Sequence, residues 1–344
     1  TVHGFLRCHP GYWFRDDQWD LMMRVTAAGS LPGDDFRGAL TAMAEVLPEV
    51  LPLPELPARG VGSGMIGRAL GIIDGLGFDI QPSGWRLTAA SGSDHRRARA
   101  RWRHDLDDAE ELLQGFEGVL KIGLAGPWTL AATVERPRGD WLLADHGARR
   151  ELAQALAEGW LQLREDLRRR IPGARLLLQL DEPALTAVGE GTIPTASGFS
   201  RHRRVEVPEL AGALKPLSEG AWLHCCAPGK WLPVAQRAGF AAVAVDTRLF
   251  LESAGIDALA EWAQAGRGLA LGIVDSATGR VQGVDELVRE TLRVLRPLEL
   301  PAPSIDSGVL LTTACGLASW KLAEVPGQLA ALRRAATLVA EELQ

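Results

Sequence analysis

Short apolar runs recur along the chain, each followed by turn residues and then a helical stretch. They are RVTAAGSLPG (24–33), GFDIQPSGW (77–85), VLKIGLAGPW (119–128), RLLLQLDEP (175–183), AWLHCCAPG (221–229), AAVAVDTRL (241–249), GLALGIVDSATG (268–279) and GVLLTTACG (308–316). Buried parallel strands read as near-continuous apolar runs of this kind. Between them, amphipathic segments over 95–115, 143–170, 255–265 and 284–295 predict helices. The last begins near Asp285 and places Val284, Leu287, Val288, Leu292 and Leu295 on one face.

Eight strand-then-helix units in one chain predict an α/β fold, a single (β/α)8 TIM barrel with its active site at the C-terminal ends of the strands. The main rival, a doubly wound sheet, carries a glycine-rich phosphate loop after its first strand. The nearest match, GVGSGMIG (60–67), follows the proline-rich stretch LPEVLPLPELPARG (47–60), which reads as a connection, not a strand. Polar residues gather where the predicted strands end: Ser30, Gln81, Ser83, Asp181, Glu182, His224, Cys226, Asp246, Asp275 and Cys315. In a barrel these eight ends converge on one mouth, which turns scattered residues into one candidate site.

Composition narrows the function classes. With 47% hydrophobic and 23% charged residues the chain has the balance of a globular protein with a large core. A net charge of −6 gives no broad basic surface, so neither nucleic acid nor an anionic membrane is expected as a partner. No apolar run approaches the ~20 residues of a membrane span. The opening stretch TVHGFLRCHPGYWFRDDQWDLMM is too charged for a signal peptide, and Met22 and Met23 directly precede the first strand-like run. Residues 1–22 are therefore expected to be a leader outside the core fold, with 23–344 forming the barrel. A cytoplasmic location follows, with cysteines acting as thiols or ligands and not as a disulfide framework.

The chemistry centres on AWLHCCAPGK and TTACGLASW. On a strand, His224 and Cys226 point to one face and Cys225 to the other. An isolated His-x-Cys is more often structural, since free cysteine commonly behaves as a small buried hydrophobe. Cys315, at another strand end on the same rim, changes that balance. One nitrogen and two sulfurs suit Zn2+, and three protein ligands leave a fourth position open for catalysis. Asp246 is placed to fill that position at rest and yield it to a substrate. Two thiolates make the metal electron-rich, a poor activator of water but well suited to another thiolate. A substrate thiol bound there would lose its proton and stay nucleophilic at neutral pH. Ligand type alone thus points to thiol alkylation.

His224-x-Cys226, Val-Asp-Thr at 245–247, ACGL (314–317), GSLPG (29–33), AGPWTL (125–130) and LQLDEPAL (178–185) together resemble the zinc-binding half of cobalamin-independent methionine synthase. The resemblance runs over most of 24–320, in the family's order, and matches the short form that lacks an N-terminal duplicate barrel. It implies a methyltransferase that forms methionine from homocysteine, with His224, Cys226 and Cys315 as zinc ligands. Asp246 stands where the family has a glutamate ligand. Asp181 is expected to hold the homocysteine ammonium, and Ser30 its carboxylate. Gln81, Ser83 and Glu182 complete the candidate substrate set, although Glu182 alternates away from Asp181 and also reads as a brace for neighbouring loops.

The departures fall mainly on the methyl-donor side. Folate enzymes of the family carry a histidine in strand seven that serves the leaving group; here VDSATG has Ala277 at that position and offers Asp275 as the candidate acid. A tryptophan that packs on the pterin is replaced by Thr133, and no glutamate for the substrate amine is found around RGVGSG. The expected donor is therefore a methyl-corrinoid, methylcobalamin or a corrinoid protein, ahead of methyl-tetrahydrofolate. The alternatives are methyl transfer to another small thiol resembling coenzyme M, a non-catalytic zinc- or corrinoid-binding barrel, and the related zinc-free decarboxylase of tetrapyrrole synthesis.

Overall fold

The computed structural model describes residues 23–343. Residues 1–22, where the leader was expected, lie outside the described residues. The elements run β1 (Arg24–Val25), α1 (Phe36–Val46), β2 (Val50–Pro52), α2 (Met65–Gly71), β3 (Gly77–Gln81), β4 (Gly84–Thr88), α3 (Ser93–Leu112), β5 (Val119–Ala125), α4 (Pro127–Thr133) and α5 (His146–Arg170). They continue with β6 (Arg175–Asp181), α6 (Leu185–Glu190), α7 (Val207–Ser218), β7 (Trp222–Cys225), α8 (Leu232–Ala238), β8 (Ala242–Asp246), α9 (Ser253–Gln264), β9 (Gly268–Val274), α10 (Val284–Leu298), α11 (Ala302–Gly308), β10 (Val309–Thr313) and α12 (Val325–Leu343).

Eight parallel strands form the sheet in the order β1-β10-β9-β8-β7-β6-β5-β2, and helices surround it. The two end strands are brought together by a Ser30–Glu55 bridge, with Leu31 N donating to Glu55 O at 2.8 Å and Glu55 N to Gly29 O at 3.0 Å. This is the expected TIM barrel, nearly closed. Among the described residues no helix is long and apolar enough to cross a membrane.

One expected strand is corrected. The second barrel strand is β2, inside the proline-rich stretch read as a connection, and GFDIQPSGW instead forms the antiparallel hairpin β3–β4. Proline usually argues against an inner strand because it cannot donate to the ladder. Here Leu53 N donates to Lys121 O on β5 at 2.8 Å, so Pro52 and Pro54 alternate toward the seam with β1. No ladder pairs β1 with β2 along that seam before the Ser30–Glu55 bridge, so the missing N–H groups interrupt none. The hairpin is a separate two-stranded sheet that packs on α3, with Phe78 edge-on to His95 at 5.2 Å.

Alternation along the strands sorts residues between two cores. Val50, Val119, Leu177, Trp222, Ala242, Ala244, Ala270 and Leu310 fill the barrel interior, where one large indole is accommodated by three alanines on the next two strands. The intervening residues, including Leu120, Leu178, Leu223, Val243 and Leu271, join the larger layer between sheet and helices. Moving two residues toward the mouth from this apolar floor reaches Lys121, Gln179 and His224; four residues on from Leu177 is Asp181. The register that buries the floor therefore aims these polar groups into the barrel.

Candidate metal centre at the barrel mouth

On β7 the inward Trp222 fixes the inward direction of His224, and Cys226 follows just beyond the strand end. Cys225 points the other way and is fully buried in the outer core, where desolvation pushes its thiol up to about 12. Cys315 lies two residues past the end of β10. The ligand atoms of His224, Cys226 and Cys315 all lie within 4.8 Å of one another, the one such group among the described residues.

Local geometry fits a metal ion. The two sulfurs are 3.5 Å apart; two Zn–S bonds at a tetrahedral angle would place them about 3.8 Å apart. His224 Nδ1 lies 3.1 Å from the carbonyl oxygen of Ala244, while its Nε2 is buried without a hydrogen-bond partner. A carbonyl that accepts the Nδ1 proton fixes the tautomer and leaves the Nε2 lone pair for coordination. Burial works against charge on His224, but Cys315 and Asp181 outweigh it and raise its pKa. The Cys226 thiol and His224 pull Cys315 down to about 4, whereas Cys226, sharing its proton with Cys315 in a buried site, is pushed up. One member of the pair is thus already disposed to be a thiolate.

Carboxylates line the β1–β2–β6 side of this cluster. Asp181 stands opposite His224 in the β6–β7 register and accepts from Gln179 Nε2 at 2.8 Å. Lys121, buried on β5, donates to Ala27 O at 2.6 Å and to Gln179 Oε1, so it anchors both the β1 backbone and the residue that holds Asp181. Burial raises Asp181 to about 6 and lowers Lys121 to about 7. Ser30 Oγ donates to Glu55 Oε1 at 2.6 Å. Burial also raises Glu55, against the Ser30 hydrogen bond and the charge of buried Arg68, whose guanidinium donates to Pro54 O at 2.9 Å. Ser30 packs directly on the Cys315 turn, where a Cβ at Gly316 would lie 2.6 Å from Ser30 Cβ. Only glycine permits that approach.

Glu55 is the residue that sequence reasoning missed. It stands just beyond the end of β2, a few positions before RGVGSG. Strand spacing gives no signal for it, because the true β2 leaves an even longer stretch, Pro52 to Val119, before the next barrel strand.

The other expected residues are placed elsewhere or held by different partners. Gln81 and Ser83 belong to the β3–β4 hairpin, where Ser83 bonds Glu135, and neither is on a barrel strand. Glu182 is fully buried and accepts from Trp128 N, Thr129 N and Thr129 Oγ1 at 2.9, 2.7 and 2.6 Å. It braces the start of α4, and a Cβ at Gly126 would meet its carboxylate at 2.3 Å. Asp246 is gripped by Arg248, whose Nε and Nη2 donate to its two oxygens at 2.9 and 2.7 Å. The same guanidinium reaches Asp275 Oδ1 at 2.5 Å. Sequence reasoning left Arg248 out, although Asp246-x-Arg248 has the spacing of two side chains on one face.

Fold and site together define a TIM barrel with a candidate metal-binding group of one histidine and two cysteines at its mouth, flanked by the carboxylates of Asp181 and Glu55. No family model matches the chain, and no curated protein matches it. Among solved structures, it is similar to a B12-independent methionine synthase from Shewanella sp. W3-18-1 in complex with selenomethionine, at 14% identity and a TM-score of 0.61, over 94% of this chain and 99% of that one. It is also similar to a methyltransferase from Methanosarcina mazei, at 14% identity and a TM-score of 0.55, over 93% and 94% of the two chains. At this identity the likeness is one of fold.

Proposed function

We propose that the protein is a zinc-dependent methyltransferase that converts homocysteine to methionine, with a methyl-corrinoid as donor. The observation that carries this reading is the His224–Cys226–Cys315 cluster with its unpartnered Nε2, set beside Asp181 and Glu55. Two carboxylates and two thiols converge in a largely buried mouth; a dication together with a substrate ammonium would balance that charge. An amino-acid thiol meets this need better than a sulfonate thiol, which has no amine to pair with Asp181 and Glu55.

His224, Cys226 and Cys315 would hold zinc, which supplies the positive charge that keeps a bound thiol deprotonated. Asp181 and Glu55 take the ammonium, Asp181 oriented by Gln179 and Lys121, and Glu55 by Ser30. This fixes the substrate sulfur toward the cluster. The thiolate attacks the methyl carbon in line: the S–C bond forms, the Co–C bond breaks, and the electron pair stays on cobalt. A corrinoid leaving group takes up no proton in this step, whereas the tertiary amine of methyl-tetrahydrofolate is a poor leaving group unless protonated. β9 carries no histidine, and the Asp275 carboxylate is ion-paired to Arg248.

Purified protein with homocysteine, offered methylcobalamin or methyl-tetrahydrofolate in parallel, tests the donor. We expect methionine from methylcobalamin at a rate at least about tenfold above that from the folate. Equal or faster turnover with the folate would contradict the donor assignment.

A further inference from the structure

Asp246 occupies the end of β8, where a carboxylate can be brought to the metal cluster of the neighbouring β7, yet it is held in another way. Its Oδ1 accepts from the backbone N of Arg248 at 3.1 Å and from Arg248 Nε at 2.9 Å; its Oδ2 accepts from Nη2 at 2.7 Å. The backbone contact also caps the 3-10 turn Thr247–Phe250. The guanidinium is fixed at its far end by Asp275 at 2.5 Å. Asp275 is itself set by Gln282, whose Oε1 accepts from Asp275 N at 2.7 Å, and Gln282 N donates to Gln328 Oε1 at 2.7 Å. A chain of contacts from α12 through Gln282 and Asp275 thus determines where Arg248 sits.

We propose that Arg248 is a positioning residue that keeps the Asp246 carboxylate off the metal, leaving the fourth position of the His224–Cys226–Cys315 site to the incoming thiol. The inference rests on the metal site proposed above. To coordinate, Asp246 would have to surrender three hydrogen bonds, two of them to a charged bidentate partner and the third the cap of its turn. Aspartate is also one methylene short of the reach a glutamate would have from this strand. Removal of the guanidinium reverses the balance: Asp246, 6% exposed, becomes a buried carboxylate without a counter-charge beside a dication, and coordination becomes its best option.

Cobalt(II), loaded in place of zinc, reports donor set and coordination number through its visible absorption. The unmodified protein, Asp246→Asn, Arg248→Met and the double variant are compared, with Arg248→Lys as a milder change that keeps the charge but loses the bidentate fork. Asp246→Asn is expected to leave the cobalt spectrum unchanged. Arg248→Met should shift it, tighten zinc about tenfold in a chelator competition, and weaken the spectral response to homocysteine. The double variant should return to the unmodified spectrum, which a merely structural role for Arg248 would not produce. A changed spectrum in Asp246→Asn alone, or no change in either Arg248 variant, would overturn the inference. Failure of the unmodified protein to bind cobalt would overturn the metal site itself, and this inference with it.

Discussion

At the ends of β7 and β10 the ligand-type side chains have one another or nothing as partners: buried His224 Nε2 has none, and the half-buried thiols of Cys226 and Cys315 face each other at 3.5 Å. At the ends of β8 and β9 the opposite holds, because Asp246 and Asp275 share one guanidinium and every carboxylate oxygen of Asp246 is engaged. Both corners are rich in groups that can bind metal or move protons, and residue type alone does not separate them. Satisfaction does. A buried donor atom without a partner carries a desolvation cost that a ligand can relieve, whereas an ion-paired carboxylate has already been compensated.

Substitutions at the cluster should give the largest effects. We expect Cys226→Ser and Cys315→Ser to lose most bound zinc, and Cys225→Ser to keep it near one per chain, since Cys225 faces the outer core. Metal analysis of the three purified variants decides this, and equal loss in all three would break the distinction between the two faces of β7.

A second tier concerns the carboxylates. A charge-assisted hydrogen bond in a partly desolvated mouth contributes about 1.5–3 kcal/mol. Asp181→Asn should therefore weaken homocysteine binding roughly tenfold to a hundredfold with zinc retained, while 4-mercaptobutyrate, which lacks the amine, should bind both forms alike. Glu55→Gln should act in the same direction by roughly fivefold, since Ser30 Oγ already occupies one of its carboxylate oxygens. Parallel losses for the two thiols would reduce these residues to scaffolding. The smallest effect should come from Gln81→Ala and Ser83→Ala, whose homocysteine dissociation constants should stay within about twofold of the parent. A tenfold change would mean that the hairpin reaches the substrate.

Much of this organisation was legible in the sequence. Seven of the eight barrel strands announce themselves as apolar runs, because strands buried on both faces leave little room for polar residues. The helix 284–298 is equally plain, with Leu287, Leu292 and Leu295 buried as its periodicity requires. His224, Cys226 and Cys315 could be brought together because strand parity and barrel closure are both periodic. β2 was not legible: three residues among prolines look like a linker, and only the seam geometry shows why the prolines are harmless. Losing β2 also lost Glu55. The state of Asp246 was hidden for another reason, since which partner a carboxylate takes is settled by side-chain contacts that no pattern of hydrophobicity encodes.

The central claim is that the cluster binds the substrate sulfur as a thiolate. Free homocysteine is mostly protonated at pH 7, so its binding to the zinc-loaded protein should release about one proton per site. Calorimetric titration in two buffers of different ionisation enthalpy measures that number directly. We expect close to one proton released by the zinc-loaded protein and none once zinc is removed or Cys315 is replaced by serine. Binding of homocysteine with no proton release, or with the same release after zinc removal, would contradict the account.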